Sequence, residues 1–147
     1  MIELAATAII TFSSAVLFGY WFRYTCLLIL SAKTTRDYAE QVAEANQLSF
    51  LTVQRELAGG LAQDLDWLHA SLDRDYQVLA RLWGQAPREG GLERRMLQTN
   101  YRLMSFWGRL VKSFFPQTAR KALEEMALTI AHFANALGEQ SAAAAAA

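Results

Sequence analysis

Residues 4–22, Leu-Ala-Ala-Thr-Ala-Ile-Ile-Thr-Phe-Ser-Ser-Ala-Val-Leu-Phe-Gly-Tyr-Trp-Phe, run for 19 positions without a charge. As an α-helix they extend about 28 Å, close to the ~30 Å hydrocarbon thickness of a bilayer. Arg23 closes the run, and Tyr20, Trp21, Phe22 and Tyr24 supply the aromatic belt expected where a span meets the headgroups. One transmembrane helix is therefore predicted. Apolar residues resume from Tyr24 to Ala32, which leaves two positions for Arg23. Either it lies at the interface, or it sits within a longer tilted helix and snorkels or meets a carboxylate. In the first of these, Tyr20, Trp21, Arg23 and Tyr24 are the interface anchors.

The start, Met1-Ile2-Glu3-Leu4, lacks the positive n-region of a cleaved signal peptide, so the span is expected to remain as an anchor. Arg23, Lys33 and Arg36 follow it and only Glu3 and the terminal amine precede it, which predicts an outside N-terminus and a cytoplasmic remainder. The expected location is a single-pass protein of a bacterial inner membrane. Ala8, Thr11, Ala15 and Gly19 recur every three or four residues, a thin stripe against which another membrane helix can pack closely. Cys26, the single cysteine, reads as a small apolar residue of this helix before it reads as an acylation site.

Beyond the anchor and its interfacial extension, residues 1–33, roughly 115 residues remain, enough for one modest core. Their composition gives an all-α expectation: a cytoplasmic helical hairpin or three- to four-helix bundle over 34–138, then a disordered or frayed alanine-rich tail over 139–147. From Thr34 the pattern turns polar and rich in helix formers, so the spanning helix is expected to run on into the soluble part. Phe50, Val53, Leu57, Leu61, Leu65, Leu68, Leu72, Tyr76, Leu79 and Leu82 or Trp83 keep nearly heptad spacing. The stripe crosses Gly59-Gly60 in phase, favouring one long kinked helix over a turn, although each glycine costs about 1 kcal/mol of helix stability.

Gly84 to Gly91 holds a proline and a glycine pair between two periodic segments, and the chain is expected to reverse there. Leu92, Met96, Leu97, Leu103, Met104, Trp107, Leu110, Val111 and Phe114 predict a second helix, ended by Phe115-Pro116. A third is predicted from Gln117 to Leu137, with Glu124, Glu125 and His132 at its edges and Gly138 as its stop. Leu57, Leu61, Leu65, Leu68, Leu72, Tyr76, Leu79 and Trp107 are the residues expected to pack between helices or against a partner.

A formal net charge of zero conceals two opposed segments. Asp37 to Asp75 carries eight acidic and two basic residues, a net of −6, and Arg88 to Lys121 carries eight basic and two acidic, a net of +6. Such fields favour antiparallel pairing within the chain or between subunits, and they select partners more than they stabilise. A basic helix beside an anionic leaflet also makes lipid contact possible. Tyr101, Phe106, Trp107, Phe114 and Phe115 interleave with Arg102, Arg109 and Lys112; with an anchor and a balancing acidic segment, they read as helix core, with a membrane- or partner-facing surface next, and not as a nucleic-acid groove.

Little chemistry is encoded. His69 and His132 fall on different predicted helices, so two histidines one turn apart on a metal are unavailable, and a facing pair around haem is the only cofactor arrangement they permit. Asp64, Asp66, Asp73 and Asp75 diverge around a helix without a calcium-loop glycine, and read as a solvated or partner-facing acidic surface. Phosphate loops, dinucleotide glycines and a nucleophile elbow are absent from the sequence. No catalytic residue, cofactor or metal is predicted. The expected function is a non-catalytic accessory or structural subunit of a larger integral-membrane complex. The alternatives are a membrane-tethered, self-associating coiled-coil scaffold, a homo-oligomer, and, more weakly, a haem-binding electron carrier.

Overall fold

In a computed structural model, residues 1–32, 36–60, 64–85 and 91–147 are described. They form six α-helices: α1 Ile2–Ser31, α2 Ala39–Asn46, α3 Phe50–Ala58, α4 Leu65–Gln85, α5 Gly91–Val111 and α6 Pro116–Ala146. The chain divides into two compact units, Met1–Lys33 and Thr34–Ala147.

The first unit is the single helix α1, the one helix among the described residues long and apolar enough to cross a membrane. Its 30 residues extend about 45 Å. It is apolar all round, without the polar face of a surface helix. Its threonine hydroxyls are satisfied locally: Thr7 Oγ1 donates to the Glu3 carbonyl and Thr11 Oγ1 to that of Thr7, both at 2.8 Å, and Thr25 Oγ1 to that of Trp21 at 2.9 Å. A hydroxyl bonded to its own backbone needs no water, the condition for placing it in hydrocarbon. The helix does not run on as a stalk, because Ala32 is extended and the next helix begins at Ala39.

The second unit is a bundle of five helices, two of them only about two turns long, built around α6. This last helix packs against each of α2, α3, α4 and α5. Alanines 119, 122, 127 and 134 are buried along it beside Leu123, Met126, Ile130 and Phe133, and these small residues let neighbouring backbones approach from several sides. Glu125, expected at an edge, is buried against α5, whereas Glu124 lies on the exposed stripe of α6 with Gln117, Lys121 and Leu128. The α5 pairing is antiparallel, fixed at one end by Gly108 against Ala122 and at the other by Glu93 against His132.

Local chemistry explains the breaks. Asp37 Oδ1 accepts from the Ala39 amide at the start of α2. At its end Gln47 turns left-handed at φ 54°, and the Leu48 amide reaches back to the Ala43 carbonyl at 2.8 Å, a Schellman-type stop. Gly59-Gly60 makes a turn and not a kink: α3 ends at Ala58, and Gly60 takes φ +68°, a conformation that costs glycine little. The heptad phase carried across it reflects two helices that each bury one face, with Phe50, Val53 and Leu57 in α3 and Leu68, Leu72, Leu79 and Trp83 in α4. Asp64 then accepts from the Trp67 amide at 3.0 Å at the start of α4. The expected reversal over Gly84–Gly91 lies mostly outside the described residues, and Pro116 opens α6 as its first residue.

Gly138 is not a stop. Helix α6 passes through it to Ala146, so the alanine run expected to fray is helical, in keeping with alanine's propensity. The glycine is there for space. A Cβ on it would lie 2.3 Å from Tyr38 Cβ and 3.3 Å from Val42 Cγ2. One turn earlier, Asn135 Oδ1 accepts from the Tyr38 amide at 2.6 Å, so α6 both admits and anchors the start of α2.

Candidate functional site

Helices α4 and α5 face one another through a polar seam rather than close backbone packing. His69 sits in its middle. Its Nε2 lies 3.1 Å from both the Ser105 carbonyl and the Ser105 hydroxyl, and its Nδ1 lies 3.3 Å from Asp73 Oδ2 and 3.4 Å from Arg109 Nε. Asp73 also accepts from Arg109 at 2.5 Å and from the Tyr101 hydroxyl at 3.0 Å, and Lys112 pairs with Asp66. Tyr101 stacks on Tyr76 with ring centroids 4.1 Å apart and planes within 6°. Partner positions fall on α5 as they rise on α4, the mark of antiparallel helices.

The electrostatics follow from burial and neighbours. Burial pushes the Asp73 carboxyl upward, but hydrogen bonds from His69 and Tyr101 and the Arg109 charge outweigh it and hold the group below the usual carboxylate range. Burial pushes the Tyr101 hydroxyl well above the ordinary tyrosine value, and the adjacent Asp73 charge adds to the effect. Hydrogen bonding and charge from Lys112 lower Asp66. Ser105, His69 and Asp73 stand in a row across the seam, with both the carbonyl and the hydroxyl of Ser105 3.1 Å from His69 Nε2. A neutral His69 that donates to Asp73 through Nδ1 accepts the Ser105 hydroxyl at Nε2, whereas one that donates to the carbonyl through Nε2 does not. The seam acts as an interhelical clamp.

Of the four aspartates read as a solvated or partner-facing surface, Asp64 and Asp66 are exposed, Asp73 is partly buried and Asp75 is buried, and each makes a contact within the bundle. Asp64 caps α4, Asp66 and Asp73 meet α5, and Asp75, 0% exposed, accepts from the Ser49 amide at 2.7 Å at the start of α3. Arg74 reaches the Ser49 hydroxyl at 2.6 Å and Asp75 at 3.3 Å. Two of the opposed-charge contacts are thus made inside the chain. Asn100 donates to Glu125 at 2.6 Å in the core between α5 and α6, and both residues are buried.

Two histidines about haem are ruled out by position. Partners of His69 and His132 on α5 are Ser105 and Glu93, twelve residues and about 18 Å apart along the helix. Among the described residues no group of three or more His, Cys, Asp or Glu could hold a metal ion. A cleft of about 360 Å³ between α4, α5 and α6 is lined by Trp83, Arg94, His132 and Phe133 among others. Arg94 lies 5.2 Å above the Trp83 ring. Trp83 Nε1, Arg94 Nη1 and Gln140 Oε1 are buried there and meet no hydrogen-bond partner among the described residues. Water entering such a space can bridge them.

The remaining outward feature is the free face of α5. Leu97, Met104 and Val111 are buried as expected, but the inward face is completed by Asn100, Tyr101 and Gly108. Leu103, Phe106, Trp107 and Leu110, spaced i, i+3, i+4 and i+7, point outward, and Phe114 and Phe115 continue the patch through the turn before α6. Exposure is 44% at Trp107, 65% at Phe106 and 78% at Phe114. Arg95, Arg102 and Arg109 recur every seven residues along one edge, and Glu93 is the sole acidic residue of the helix.

Of the residues expected to pack, Leu57, Leu68, Leu72 and Leu79 are buried and Leu65 and Tyr76 are half-buried. Leu61 lies outside the described residues, and Trp107 is exposed. Ala8, Thr11 and Ala15 lie on the outward surface of α1 and Gly19 is half-exposed; Tyr20, Trp21 and Tyr24 are exposed, with Tyr20 stacked on Tyr24 at 6.4 Å, and Arg23 lies between them on an unbroken helix. Spacing does not single out Asn100 or Asn135, and it places Asp75 only in an acidic surface and Tyr101 only among the aromatics interleaved with arginines. A polar residue at a heptad-compatible position of an otherwise apolar face was the available signal for Asn100.

No protein family matches the chain, and no curated protein or solved structure is similar to it at a significant level.

Proposed function

We propose that the protein is a membrane-anchored, non-catalytic accessory subunit of a larger integral-membrane assembly. In this reading α1 spans the bilayer with the N-terminus outside, and the α2–α6 bundle is cytoplasmic. The observation that carries it is the division of surfaces between the two units. Helix α1 offers apolar side chains all round, and the bundle pairs Asp66 and Asp73 with its own Lys112 and Arg109 while leaving a Leu, Phe and Trp face on α5 for a surface at the membrane. Contiguous apolar faces rimmed by polar residues mark interaction sites. The small-residue stripe Ala8, Thr11, Ala15 and Gly19 supplies a place for a partner's membrane helix.

A self-associating coiled coil is less well supported, since the turn at Gly59-Gly60 divides its supposed seam and the residues on both sides are buried within the bundle. The test is mass spectrometry of the intact species extracted in mild detergent. A fixed ratio of this chain to other membrane proteins is expected. Recovery of the chain only as a monomer or homo-oligomer would overturn the accessory-subunit reading. Ala15→Leu with Gly19→Leu is expected to disrupt the assembly while leaving the bundle folded, and unchanged assembly would exclude that stripe as the contact.

A further inference from the structure

We propose that the free face of α5 lies on an anionic lipid surface, with Leu103, Phe106, Trp107, Leu110, Phe114 and Phe115 at the headgroup–acyl boundary and Arg95 and Arg102 on the phosphates. It rests on the membrane-anchor part of the reading above and not on the partner complex.

Three observations lead to a bilayer as the occupant. The first is composition. An interfacial helix carries Trp, Phe and Leu on one side and Arg or Lys at the edge, and α5 has that arrangement from Leu103 through the following turn. Indole and phenyl rings favour the headgroup boundary, and guanidinium groups on three-carbon stems reach phosphate while their methylenes remain against apolar neighbours.

The second is charge. Arg95, Arg102 and Arg109 line one edge, and Arg120 and Lys121 follow on the first turns of α6. The single α5 carboxylate, Glu93, lies at the far end and is held by His132 at 3.1 Å. Arg109 and Lys112 are occupied by Asp73 and Asp66, and Arg102 reaches the Tyr76 hydroxyl, which leaves Arg95 and Arg102 as the cations of this edge without a carboxylate partner among the described residues. Each basic group near an anionic leaflet contributes to attraction that salt weakens.

The third is reach. Ser31 and Ala39 end and begin successive helices, and the connection between them spans at most about 28 Å even when fully extended. A bundle tethered that closely to a spanning helix meets lipid at high effective concentration, so even a weak face is held on the surface.

The full chain is reconstituted in vesicles whose acyl chains are brominated, made of phosphatidylcholine alone or with about 30% phosphatidylglycerol. In a Trp21→Phe background, quenching by bromine is compared with and without Trp107→Phe, so that Trp67 and Trp83 cancel. Expected is Trp107-dependent quenching in the phosphatidylglycerol vesicles, its loss in phosphatidylcholine, and its loss on raising salt with the unmodified Arg95 and Arg102. Arg95→Glu with Arg102→Glu is expected to abolish it at low salt, with unchanged far-ultraviolet helicity as the folding check. No Trp107-dependent quenching in either vesicle overturns the proposal, as does quenching indifferent to phosphatidylglycerol and salt. A photoreactive residue at Phe106 that crosslinks to protein in native membranes, with no quenching in vesicles, assigns the face to a protein partner instead. Extraction of the chain by alkaline carbonate would show failure of the anchor itself, whereas absence of co-purifying proteins leaves the quenching result untouched.

Discussion

Asp75 carries no solvent exposure and accepts from the amide of Ser49, the residue that precedes α3. Replacing Asp75 by alanine orphans that amide and leaves the Ser49 hydroxyl with Arg74 alone, and a loss of about 1–3 kcal/mol is expected in urea unfolding of the detergent-solubilised chain. Asp75→Asn keeps an acceptor and is expected to lose less. Gly138 offers a second residue-level test. With Tyr38 Cβ at 2.3 Å from the added atom, Gly138→Ala is expected to destabilise by about 1–3 kcal/mol, and Gly84→Ala, where nothing lies within 4 Å, to stabilise slightly. Equal effects at the two sites would mean that α2 moves aside at no cost. Neither role was legible in the sequence. Asp75 reads as one more charge in an acidic run, and Gly138 reads as a stop, because its packing partner lies one hundred residues away.

At the scale of elements, the α4–α5 seam gives the bundle a definite pH response. Asp73 has a lowered carboxyl value, so the unfolded chain binds the proton first as pH falls: its contribution is present above about pH 4 and is lost as pH drops through the folded value. Tyr101 is shifted upward, so above about pH 10 the unfolded chain loses a proton that the folded chain keeps, and stability declines as pH rises. Urea midpoints from pH 3 to 11 are expected to show both limbs, and Tyr101→Phe is expected to flatten the alkaline one. An alkaline limb unchanged in that variant would place its origin elsewhere. The opposed charge segments were legible as antiparallel partners because sign survives in one dimension. What periodicity missed was the side of α5 that turns inward: Leu103, Trp107 and Leu110 satisfy a helical period as well as Leu97, Met104 and Val111 do, and only the fit of Asn100 to Glu125 and Gly108 to Ala122 decides between them.

For the molecule as a whole, the all-α class and the single long apolar helix follow directly from composition and periodicity. The number of helices in the bundle does not, since Gly60 places a turn where the hydrophobic spacing stays in phase and Gln47 ends α2 within a stretch rich in helix formers. Deleting α6 by ending the chain after Phe115 is expected to abolish cooperative unfolding of the remaining bundle and to make it protease-sensitive, since α2, α3, α4 and α5 all pack on the missing helix. Cooperative melting of the shortened chain would show that those four possess a core of their own.

The place of α6 in the chain has a consequence for biosynthesis. At roughly 5–20 residues per second, the ribosome takes on the order of 5–20 s to pass from α2 to the end of α6. Throughout that interval the earlier helices of the bundle lack the surface they share. Helix α1 leaves the ribosome before α6 is complete, so as a membrane anchor it would be open to insertion before the bundle can close. The Leu, Phe and Trp face of α5 is then made a few seconds before the helix that buries its opposite side, an interval in which a nearby bilayer or chaperone would shield it from aggregation.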